Sequence, residues 1–147
     1  MPPSALKDLT QNDWTLVESK AKRISVKLCQ EIIKEGARLD YLYILQYSPY
    51  RVGFGGARGT TSRAVIATLT AGDVCGEMAF LGDRTATAAV VAKDEVEVDA
   101  ILAEDLRQLV AVFPAFGARF YRSLAVILAQ RLRQTSRELL REMTKKR

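Results

Sequence analysis

Apolar residues recur along this chain at two different spacings, and the change from one to the other divides it into three parts. Thr10-Gln11-Asn12-Asp13 reads as a capping box, and Trp14, Val17 and Ala21 follow at helical spacing, which predicts a short helix over 11–22. Alternation then takes over at Ile24, Val26 and Leu28 and again at Ile32 and Ile33, until Glu35-Gly36 turns the chain. Tyr41–Leu45 predicts a further strand, rich in aromatic and branched side chains. Ser48-Pro49 interrupts the pattern, which resumes at Tyr50–Val52, Ala64–Leu69, Ala88–Ala92 and Val96–Leu102. The last third returns to helical spacing. Leu106, Leu109, Val110 and Phe113 mark one helix that Pro114 ends or bends. Phe116, Phe120, Leu124, Ile127, Leu128 and Leu132 then form a stripe, extended by Leu139, Leu140 and Met143 beyond a polar patch at 134–136.

Short strands joined by turns, with helices only at the two ends, predict a compact barrel or roll rather than βαβ units. The 147 residues fit one domain, large enough to bury roughly two-thirds of its unfolded surface. The expected organisation is an N-terminal helical segment over 1–23, a β-roll over 24–103 and two C-terminal helices over 104–147. Residues 53–63 hold four glycines in eleven positions. They lack the lysine of a phosphate-binding P-loop and no helical pattern follows, so they read as a hairpin connection. The long final helix outruns the domain that could cover it, and its distal apolar face is expected to meet a partner helix, in a homodimer or another protein, through 116–143.

Hydrophobic residues make up 48% and charged residues 27%, a globular balance. No apolar run approaches the roughly 20 residues needed to cross a bilayer, and MPPSALKDLTQNDW lacks the basic start and apolar core of a secretory signal. Cys29 and Cys75 stand singly in apolar surroundings and read as buried reduced thiols, which fits a cytoplasmic setting. With no histidine, zinc sites and Ser-His or Cys-His catalysis lose their usual base, and no catalytic or metal-binding residues are expected. The net charge of +5 resides in a tail: 131–147 carries seven basic and two acidic residues, whereas the remainder is balanced. A solvated helix face, contact with an anionic membrane, or contact with an acidic partner would each account for it. Nucleic acid is not expected, because no helix-turn-helix pattern follows the strands.

The stretch with chemistry is Gly76-Glu77-Met78-Ala79-Phe80-Leu81-Gly82-Asp83-Arg84-Thr85-Ala86-Thr87-Ala88. Together with Ala71-Gly72-Asp73-Val74 before it, Glu31–Gly36, Leu42–Leu45 and Ala86–Val90, it resembles the cyclic nucleotide-binding domain family over about residues 10–135. The resemblance implies a mainly β fold with flanking helices: an eight-stranded, jelly-roll-like β-roll of the double-stranded β-helix kind, with a short N-terminal helix and two C-terminal helices. It implies no cofactor, and a cassette over 76–89 that holds the ligand's cyclic phosphate and ribose, with Gly76, Glu77, Met78, Ala79, Arg84, Thr85, Ala86, Thr87 and Ala88 as candidate contacts. A short helix opening at Glu77–Leu81 offers backbone N–H groups to a phosphate. The Glu77 carboxylate can accept a hydrogen bond from a ribose hydroxyl.

In that family an arginine nine positions after the glutamate closes the site with a bidentate contact to the phosphate. Counting nine from Glu77 reaches Ala86, with Thr85 in the usual proline slot; a gapped register would put Arg84 there instead. Ser48-Pro49 is a second departure, where the family commonly has glycine. The resemblance therefore implies a non-catalytic sensor for cAMP or cGMP, bound weakly, or for another nucleotide or nucleoside. It also leaves room for a scaffold of the same fold without a ligand. Plainer roles stand beside these. Glu77 could cap its own turn, Met78, Phe80 and Leu81 could be core, and Thr85 and Thr87 could serve turn hydrogen bonds. Trp14, Phe116 and Tyr121 read as packing residues, with stacking on a base as the other role open to an aromatic near the last helix.

Overall fold

The computed structural model describes residues 5–46, 69, 72–82, 85–86 and 89–145. In chain order these form α1 (Gln11–Lys20), β1 (Lys22–Val26), β2 (Glu31–Ile33), β3 (Tyr41–Leu45), β4 (Val74–Cys75), α2 (Met78–Leu81), β5 (Val90–Val91), β6 (Val96–Leu102), α3 (Ala103–Val112) and α4 (Pro114–Lys145). The mainly β layout with flanking helices is as expected. The strand number is not: among the described residues there are six strands in two sheets rather than eight. The strand expected at 50–52, nearly all of the one at 64–69, and the glycine-rich 53–63 lie outside the described residues.

The larger sheet runs β1-β6-β3-β4 and the smaller pairs β2 with β5, all antiparallel. β6 is central to the larger sheet. It pairs with β1 from Lys22↔Ala100 to Val26↔Val96 and with β3 from Tyr41↔Leu102 to Leu45↔Val98. Its Val98 and Ile101 are wholly buried, which fits a run of apolar residues covered on both faces. β1 is shorter than the alternation suggests. After Val26 the Gln30 N–H donates to the Lys27 carbonyl at 3.0 Å, and Cys29 adopts a left-handed φ of 67°. That turn leaves Leu28 exposed and, contrary to expectation, places Cys29 in solvent; neither cysteine is in a disulfide. Cys75 is buried, and burial pushes its thiol up to about 12.

α1 begins at the capping box read from the sequence: the Asp13 N–H donates to Thr10 Oγ1 at 3.2 Å and the Thr10 N–H to Asp13 Oδ2 at 2.9 Å. α3 follows β6 directly, and α4 folds back on it where Gly117 lies against Val110; a Cβ there would stand 2.7 Å from Val110 Cγ1. The first half of α4 buries Phe116, Phe120, Leu124 and Ile127 in the core, with Trp14, Leu42, Ile101 and Leu106. The second half does not continue that face. Leu132 follows Ile127 by five residues, about 140° around the helix. Leu132, Leu139, Leu140 and Met143 are all exposed. No helix among the described residues is long and apolar enough to cross a membrane.

Candidate functional site

β4 delivers the chain to Gly76, whose φ of +78° suits glycine. Its missing side chain also matters for space. A Cβ there would lie 2.5 Å from the Tyr41 carbonyl oxygen and 3.3 Å from the Tyr43 ring, with Ile33 also in contact. Gly76 thus lets the start of the cassette press against β3 and β2. α2 follows as a single turn, with Ala79 and Phe80 buried. The Phe80 ring stands edge-on to Phe120, centroids 5.3 Å apart, and tilted against Tyr121 at 5.1 Å. Of the three apolar residues expected as core, Phe80 is; Met78 and Leu81 are exposed. Tyr121 is exposed too, so it packs by one face only.

Glu77 opens α2 but makes no side-chain cap to its own turn, which sets aside the capping role. Its carboxylate is turned instead to α4. Arg131 Nη1 donates to Glu77 Oε1 at 3.1 Å, and Arg131 Nη2 donates to the Val74 carbonyl. Both side chains are mostly buried, 29% exposed for Arg131 and 14% for Glu77. One guanidinium from the far end of the sequence therefore grips the side chain and the backbone at the mouth of the cassette. At the other end of α2, Arg107 of α3 donates from Nη2 to the Ala79 carbonyl at 2.7 Å.

Ala86 is buried, and its backbone joins the turn after β2. The Gly36 N–H donates to the Ala86 carbonyl at 2.8 Å, and the Ala86 N–H to the Ala37 carbonyl at 3.0 Å. Thr85 bridges Arg38. Gly76 and Ala86 accordingly meet the same stretch of chain, one at Ile33 in β2 and the other at Gly36-Ala37 in the turn after it. Arg84, Thr87 and Ala88 lie outside the described residues, so the alternative arginine register does too.

Three participants escaped the sequence reading. Arg131 opens the basic tail of the sequence, yet it lies four residues after Ile127 on the buried ridge of the helix. An arginine continuing an apolar ridge was the available signal. Arg107 carries no comparable signal. Tyr43, a strand residue within the stretch that carries the resemblance, is half-buried beside Gly76, and burial raises its phenol above the usual value.

Comparisons with known proteins bear on this geometry. The profile of the family described as "Cyclic nucleotide-binding domain" matches residues 23–112. Cyclic GMP-binding protein C of Dictyostelium discoideum is 30% identical over 126 residues, covering 86% of this chain and 5% of that protein. Among solved structures, a cyclic nucleotide-binding domain from Methylobacillus flagellatus superposes with a TM-score of 0.80 at 21% identity, covering 91% of this chain and 74% of the other. The Thermus thermophilus Catabolite Activator Protein gives 0.74 at 26% identity, covering 92% and 62%.

Proposed function

The chain belongs to the cyclic nucleotide-binding domain family, and from that premise we propose that it is a non-catalytic regulatory sensor whose cassette takes a cyclic nucleotide or a related nucleotide or nucleoside. The observation that carries this reading is the grip of Arg131 on Glu77. A ribose hydroxyl seated at the cassette would donate to the same carboxylate that Arg131 holds through Oε1, so ligand and helix draw on one side chain. Whatever loosens that pair acts on α4 directly, which makes the helix the reporter of occupancy. The chain covers 5% of the length of the relative named above, so what α4 reports to belongs to the same proposal. The exposed distal half of α4 would be the seat of a second copy or a partner protein. The free thiols support a cytoplasmic setting.

Affinity is expected to be modest. In the ungapped register, with alanine at 86, the charge-assisted bonds of a cassette arginine are missing, about 1.5–3 kcal/mol or one to two decades in Kd. Isothermal calorimetry with cAMP, cGMP and the parent nucleosides tests the reading, with Glu77→Ala expected to weaken binding of any ribose-bearing ligand by about tenfold. Equal binding by wild type and Glu77→Ala would overturn the ribose role.

A second reading rests on the same pair. Glu77 has a protein partner and Phe80 is packed on α4, so the cassette is satisfied from within. A roll of this kind could be a scaffold that assembles through its final helix. Absence of heat with every nucleotide and nucleoside in that calorimetry would favour it.

A further inference from the structure

The two arginines that hold α2 differ in what a ligand can take from them. Arg131 is bound partly to a side chain, the Glu77 carboxylate. Arg107 is bound to a backbone group, the Ala79 carbonyl. Within α2, Glu77 O accepts from the Phe80 and Leu81 N–H groups and Met78 O from the Gly82 N–H. Ala79 lies one residue beyond the last of these acceptors and is wholly buried, and among the described residues Arg107 is the donor to its oxygen. Glu104, one turn earlier on α3, steadies the same guanidinium from Nη1 at 3.2 Å.

We propose that Arg107 is a positioning residue that fixes the end of the cassette helix to α3, so that α2 and α3 stay together when a nucleotide draws Glu77 away from Arg131 and frees α4. This rests on the nucleotide reading for its second half only. A ribose hydroxyl is a donor; it would bind the carboxylate that Arg131 holds and reposition it, whereas it offers the Ala79 carbonyl nothing. The joint that separates the two behaviours is Phe113, which is not helical (φ −123°, ψ 81°) and divides α3 from Pro114 at the head of α4.

Hydrogen–deuterium exchange on the full chain tests it in two arms. Without nucleotide, Arg107→Ala should speed exchange at the Leu81 and Gly82 amides by about tenfold and leave α1 and β6 as they were, with Arg107→Lys restoring much of the protection. A change of less than roughly twofold at those amides, or an equal acceleration throughout the protein, would overturn the positioning role. With saturating cGMP as the probe, the wild type should lose protection along α4 around Arg131 while α2 and α3 keep theirs. Equal loss in α3 and α4 would refute the division between them. If cGMP changes no amide of the wild type, the nucleotide reading fails for that ligand and the division falls with it; the ligand-free arm still decides the role of Arg107.

Discussion

The two halves of α4 both carry basic and apolar residues and differ in what those residues touch. Residues 114–131 carry Arg119, Arg122 and Arg131, each ion-paired with a distant acidic group: Asp13 at 2.6 and 2.9 Å, Asp8 at 2.9 Å and Glu77 at 3.1 Å. The Asp8 N–H also reaches Ser123 Oγ on the same stretch, at 3.1 Å. From residue 132 to 145 the side-chain bonds among the described residues are local to the helix, such as Gln134 with Glu138 and Lys145 with Glu142. Leucine is core in the first half, at Leu124, and exposed in the second, at Leu139. What decides the role of a basic or apolar residue here is the face it occupies and whether the domain reaches that far, not its type.

That contrast can be broken most sharply in the core. Phe120→Ala should cost about 3–5 kcal/mol in urea unfolding, whereas Leu139→Ala should stay within about 0.5 kcal/mol; comparable losses would mean the distal half is covered in solution. Next comes the Asp13–Arg119 pair. Arg119, bonded to the buried carboxylate, holds Asp13 below its usual value, with the Thr10 N–H adding to the effect. A folded-state value below the unfolded one means the stabilisation is present above about pH 4 and lost as pH falls through the lowered value. Wild type should therefore exceed Asp13→Asn in thermal stability at pH 6, with the gap closing toward pH 2; a gap independent of pH would sink the assignment. Smallest is the arginine comparison: Arg131→Ala should cost about 1–2 kcal/mol and Arg133→Ala nothing measurable by the same unfolding assay.

Much of the framework was readable in the sequence because it rests on local rules. The capping box at Thr10–Asp13, the strands at Tyr41–Leu45 and Val96–Leu102 and the break at Pro114 all follow from residues within a few positions of one another. Alternation misled at Leu28 and Cys29, where a turn took the chain out of the sheet before the apolar pattern stopped. The position of Gly76-Glu77 was likewise legible, but its partners were not. Arg131 lies 54 residues from Glu77, and Arg107 lies 28 from Ala79. Spacing within a helix can show that Arg131 faces inward; only the fold says which carboxylate waits there.

Asp13 holds two posts. It completes the cap of α1 through Thr10 and anchors α4 through Arg119, which is 106 residues further along. As the chain leaves the ribosome, the first helix emerges long before that guanidinium has been made. Until then its carboxylate stays hydrated, and the first turn of α1 is finished by a segment that arrives only after every strand among the described residues.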